Sequence, residues 1–124
     1  MRNYWKREAC GKLDLEILKS AARIRTTLQA GTVLTAAEMM QARKVLERML
    51  DHRRDLMEQL LKVTSDGTTS LTDAERIGQI DVLYTDLNEF KSALLEYGGS
   101  LSLFIMQKTR ELQDLQGAER LYQQ

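Results

Sequence analysis

The sequence predicts an all-α fold, an antiparallel hairpin or bundle of three long helices in a single domain spanning residues 1–124. Three observations predict it. Apolar residues recur in alternating steps of three and four along most of the chain, which places each set on one side of a helix and requires another helix to cover it. The 124 residues contain no proline, the residue that most disrupts helix interiors. Two Thr-x-x-Glu runs, Thr35-Ala36-Ala37-Glu38 and Thr72-Asp73-Ala74-Glu75, have the form of capping boxes at helix starts. Aromatic residues are only 6% of the chain, too few for a β-sandwich or for a platform that stacks single-stranded bases.

The first helix is expected over 13–29, burying Leu13, Ile17, Ala21, Ile24 and Leu28, with Gly31 where a helix-ending glycine belongs. Residues 1–12 read as a loosely packed N-terminal extension, frayed or helical, whose Tyr4 and Trp5 could close one end of the core. The second helix follows the Thr35 cap over 36–63, about 40 Å long. Its stripe is Met39, Ala42, Leu46, Met49, Arg53, Leu56, Leu60 and Val63. Residues 64–70 are all small or polar and contain Asp66-Gly67, a turn signal.

The third helix is expected over 73 to about 115 or beyond, antiparallel to the second, with the stripe Ile80, Leu83, Leu87, Phe90, Leu94, Tyr97, Leu101, Phe104. Gly98-Gly99 interrupts it at a cost of about 2 kcal/mol relative to alanine. The apolar phase nevertheless runs from Leu94 through Tyr97 to Leu101, and a loop has no reason to preserve phase. One long helix, kinked or weakened at the glycines, is therefore expected; the alternative is a turn there and a four-helix bundle.

The residues give no basis for catalysis, a metal or a cofactor. His52 is the only histidine, and carboxylate-bridged metal sites in helical bundles need two Glu-x-x-His repeats, so His52 with Asp51 and Asp55 reads as a solvated face. Cys10, the single cysteine, excludes an internal disulfide and a Cys-only zinc site, and it lacks a neighbouring base. A reducing compartment suits it. Gly98-Gly99-Ser100 could form an anion nest but lacks the lysine and preceding strand of a phosphate loop. Arg53 falls on the apolar stripe and should pair with an acid of a neighbouring helix, such as Glu89 or Asp86, or snorkel outward; it either sets register or anchors a partner helix. The internal methionines, concentrated on the second helix, serve equally as core filler or as an adaptable receiving surface.

Net charge is zero, but residues 1–62 carry 13 Lys or Arg against 8 Asp or Glu, and residues 63–124 carry 5 against 10. Either a basic half packs beside an acidic half, in one chain or in a homodimer, or the basic half faces nucleic acid. No basic run has the length of a patch motif, so nucleic acid is the weaker inference. No apolar run is long enough to span a bilayer, and Arg2, Lys6, Arg7 and Glu8 interrupt the N-terminus, so a cytoplasmic protein without membrane insertion is expected.

The layout resembles the small flagellar export chaperones of the FlgN/FliT type, which escort hook-junction and filament-cap subunits to a type III export gate. The residues that carry the resemblance are the Leu28-Gln29-Ala30-Gly31 turn, the Arg-rich heptads from Ala42 to Arg54, Leu71-Thr72-Asp73-Ala74-Glu75-Arg76, Leu112-Gln113-Asp114-Leu115 and the terminal Leu121-Tyr122. It extends from about Leu13 to Tyr122. It implies that the C-terminal part binds an amphipathic helix of an export substrate through Leu94, Leu101, Phe104, Ile105 and Leu112, and that Tyr122 docks on the export gate. Gly98-Gly99 departs from the family's usual uninterrupted helix and puts the length of the groove in question. A structural bundle subunit of a secretion or other assembly, and a helical nucleic-acid-binding subunit, are the alternatives.

Overall fold

The computed structural model describes residues 4–30, 33–65 and 71–123, with the side chains of Tyr4 and Trp5 excluded. Expectations for those two side chains, Gly31 and the Asp66-Gly67 turn lie outside the described residues. The described chain is all-α: α1 (Tyr4–Ala30), α2 (Ala36–Thr64) and α3 (Asp73–Tyr122).

One boundary differs from the sequence reading, and one that was left open is placed. α1 begins at Tyr4 rather than Leu13, because the buried stripe extends one step back to Cys10, which is fully buried among Leu13, Ile17 and the core of the other helices. Residues 4–12 are therefore continuous with α1, and Lys6 in that stretch forms an ion pair with Asp81 of α3. α3 continues beyond Leu115 to Tyr122, and it passes through Gly98-Gly99 without a break.

The helix starts are fixed locally. At Thr35 the capping box is complete: the threonine hydroxyl accepts from the Glu38 N–H at 3.1 Å, and the Glu38 carboxylate accepts from the Thr35 N–H at 2.9 Å. At Thr72 the hydroxyl accepts from the Glu75 N–H at 3.2 Å and donates to the Glu75 carboxylate at 3.0 Å. That glutamate bonds the threonine side chain rather than its backbone, so the second box is one-sided.

Cross-helix contacts define an up-down-up bundle. Lys6 meets Asp81 and Glu16 meets Lys91, both at an offset of 75 residues, so α1 and α3 run parallel. Glu38 meets Lys108, the Tyr97 hydroxyl donates to the Ala42 carbonyl at 3.1 Å, and the rings of His52 and Phe90 lie 5.7 Å apart, so α2 is antiparallel to α3 as expected. α3 is the hub, packing most extensively on α1 and then on α2, while α1 and α2 meet least. Its face is built from Ile80, Leu83, Leu87, Phe90, Leu94 and Leu101.

The paired glycines have different roles. A Cβ on Gly98 would stand 3.2 and 3.3 Å from the Cγ1 and Cδ1 atoms of Ile24, so the missing side chain is what lets α1 approach α3 there. Gly99 has open space around its Cα. Gly99→Ala is therefore expected to stabilise the fold by about 0.8–1 kcal/mol, the difference in helix propensity. Gly98→Ala should gain less or lose stability, because buried Ile24 must shift to admit the methyl group. Urea melts of the two variants check this; equal gains would remove the close-approach explanation.

Candidate partner-binding face

The length mismatch of the helices creates the site. α1 has 27 residues and α2 has 29, whereas α3 has 50. The last contact of α2 with α3 is near its own first turn, where Glu38 meets Lys108. Residues 110–123 are exposed throughout, so α3 projects about 20 Å past the bundle.

The apolar stripe does not stop where the bundle does. Projected at about 100° per residue, Ile105 and Leu112 fall within about 40° of Leu87, Leu94 and Leu101, and Leu115 and Tyr122 lie about 40–100° to one side of them. Within the bundle this stripe is core, and beyond it the same stripe is uncovered. Leu112 is 43% exposed and Tyr122 94% exposed. Phe104 and Ile105 sit at the junction, Phe104 partly exposed and Ile105 half-buried against the core.

The structure thus divides the residues the sequence assigned to partner binding. Leu94 is 0% exposed and Leu101 is also buried; both are core residues and are withdrawn from any surface role. The reason is that one phase serves both halves of α3, and phase alone does not show where α1 and α2 end. Phe104, Leu112 and Tyr122 do present surface, and Ile105 presents part of its side chain. Leu115, more exposed than Leu112 and three residues after it, was not singled out although its spacing from Leu112 was readable.

Lys108 is the polar element at the junction. Its ammonium pairs with Glu38 and lies 5.7 Å from the centre of the Phe104 ring. The Lys108 hydrogen bond, followed by that from the Thr35 backbone, holds the Glu38 carboxyl below the usual carboxylate range. A carboxyl with a lowered folded pKa contributes above its unfolded pKa and loses that contribution as pH falls through the folded value, so acid weakens this clasp between α2 and α3.

Other candidate groups are absorbed by packing. Burial pushes the Cys10 thiol pKa up, against a smaller opposing effect of Lys6, which disfavours the thiolate a nucleophile would need. Gly98-Gly99-Ser100 lies inside α3, so its amides belong to the helix ladder rather than to an anion nest. Arg53 does not pair with Glu89 or Asp86. Its guanidinium donates to Asp14 of α1 at 2.6 Å, because α1 rather than α3 flanks that edge of α2.

Among the described residues the ion pairs that join the two halves do not all run from a first-half base to a second-half acid. Lys6–Asp81 joins a base of the first half to an acid of the second, but Lys91–Glu16 and Lys108–Glu38 run the other way. Among the described residues no group of three or more His, Cys, Asp or Glu is placed to hold a metal ion. No described helix is long and apolar enough to cross a membrane. Comparisons with protein families, curated proteins and solved structures return no match to this chain.

Proposed function

We propose that this chain is a cytoplasmic helix-binding export chaperone or adaptor, with the projecting part of α3 as its receiving face. One observation carries the reading: the apolar stripe of α3 continues, exposed, beyond the helices that cover it, in line with the core at Leu112 and to one side of it at Leu115. An amphipathic helix with anchors three and four residues apart would complete there the packing that α1 and α2 supply lower down. Phe104, Ile105, Leu112 and Leu115 would bury the cargo helix, and Tyr122 would remain for docking on an export gate. The protein performs no reaction in this account; binding shields an apolar segment until delivery. The flagellar or type III assignment of the cargo comes from the resemblance in the sequence.

The test is binding of a helical segment from a hook-junction or filament-cap subunit, followed by calorimetry. Phe104→Ala and Leu112→Ala should each weaken it by about 1–3 kcal/mol, with a smaller loss of fold stability. Tyr122→Ala should leave cargo binding intact and impair delivery. If Phe104→Ala melts the free protein and leaves binding unchanged, the face is core and the proposal loses its site.

A second reading has one observation in its favour, the excess of Lys and Arg over Asp and Glu in residues 1–62. Binding to generic duplex DNA that falls steeply with salt, with no affinity for the export-subunit helix, would favour it.

A further inference from the structure

The uncovered stripe of α3 has a hidden symmetry. When the helix is reversed about a point between Gln113 and Asp114, Leu112 falls on Leu115, Lys108 on Glu119 and Ile105 on Tyr122. We propose that the projecting part of α3 pairs antiparallel with the same segment of a second copy in this register, forming a two-fold dimer that caps the stripe. The proposal stands apart from the identity of any cargo, since it concerns the chain alone.

The physical case rests on spacing and charge. The stripe positions 105, 108, 112, 115, 119 and 122 alternate in steps of three and four, the repeat of an antiparallel two-helix seam. A two-fold contact must be self-complementary, with each residue meeting its reflected partner twice. In this register the apolar residues meet apolar residues or the tyrosine ring, and the two charges on the stripe meet as a Lys–Glu pair on each side of the axis. Among flanking positions 109, 111, 116 and 118, only Glu111 is charged.

Other arrangements fail on the same residues. A parallel pairing sets Lys108 on Lys108 and Glu119 on Glu119. Sliding the antiparallel seam by one heptad in one direction sets Lys108 on Leu112 and Leu101 on Glu119; sliding it the other way sets Leu115 on Glu119. Only the central register satisfies both charges. It overlaps the uncovered lengths of the two copies from residue 110 outward, and it sets Ile105 and Lys108, half-buried at the edge of one bundle, opposite Tyr122 and Glu119 near the tip of the other helix. Lys108 keeps Glu38 of its own chain within reach, so its three donors face two acids. A cargo helix and a second copy would compete for one stripe, so the dimer would be the resting form.

Sedimentation velocity of the full chain from about 1 to about 200 µM tests this by mass action. The native chain should shift from 14.3 kDa toward twice that mass. Glu119→Lys and Lys108→Glu should each dimerise at least about tenfold more weakly, because like charges then meet twice across the axis. An equimolar mixture of the two variants should recover the dimer, since both cross-axis pairs become complementary again. Circular dichroism melts establish that each variant is folded. A native chain that stays monomeric throughout overturns the proposal, as does a Glu119→Lys dimer of native affinity or a mixture that fails to associate.

Discussion

Leu87→Asp is expected to abolish the cooperative thermal transition of the chain. Leu87 is 0% exposed at the middle of the α3 stripe, in the core cluster shared by all three helices. The substitution forfeits about 2–3 kcal/mol of apolar burial. It also places a carboxylate where no water reaches, which costs several kcal/mol more, or forces it to bind a proton. Against a total stability of about 5–15 kcal/mol, that is most or all of the margin. The same chemistry at Leu115→Asp, on the uncovered length of α3, should change stability by less than about 1 kcal/mol. Circular dichroism melts of the two variants make the comparison. A Leu87→Asp protein that melts like the native chain would mean that the stripe faces solvent.

Arg53→Ala is expected to cost about 2–3 kcal/mol. Arg53 and Asp14 form an ion pair whose side chains are each only 17% exposed, less than those of Lys108 and Glu38. Truncating the arginine leaves the Asp14 carboxylate short of both water and partner, a penalty of about 3–5 kcal/mol for a fully buried pair and smaller here because some solvent access remains. The pair is not optimal, since the buried Nε of Arg53 has no hydrogen-bond acceptor. Replacing both residues with apolar ones of similar size, Asp14→Leu with Arg53→Met, should therefore fall within about 1 kcal/mol of the native chain or exceed it. Urea melts around this cycle should show strong non-additivity; losses that simply add would mean the pair is spectator to the fold.

Much of the bundle was legible because one face of each helix carries a single period. Ile17, Leu46, Leu60, Leu83 and Leu87 were all placed on buried faces by spacing, and they are buried. Phase also decided the glycines correctly in favour of one continuous helix. What spacing could not give was the neighbour. Arg53 announces that it needs an acid, but whether α1 or α3 lies beside it depends on how three helices pack. The start of α1 was misjudged for a different reason: Cys10 was weighed as a chemical group, when its spacing to Leu13 and Ile17 marked it as a packing residue. The Lys91–Glu16 and Lys108–Glu38 pairs, which run against the charge asymmetry, depend on register and were invisible to composition.

The continuous stripe of α3 was legible, and the point where it passes from core to surface was not. Leu94 and Leu101 were grouped with Leu112 because all three share a phase, and burial separates them only once the lengths of α1 and α2 are set against the length of α3. A helix that is core for its first thirty residues or so and surface thereafter looks uniform along its stripe.

Amide hydrogen exchange along α3 tests the central claim that one helix has a covered and an uncovered length. In dilute protein the amides around Leu83, Leu87 and Leu94 should exchange only through global unfolding, while those of residues 110–122 exchange faster by orders of magnitude through fraying of an unsupported helix. Raising the protein concentration, or adding a helix that binds the stripe, should protect the outer segment and leave the inner one unchanged. Uniform protection to Tyr122 in the dilute chain, or an outer segment that no occupant ever protects, would contradict the account.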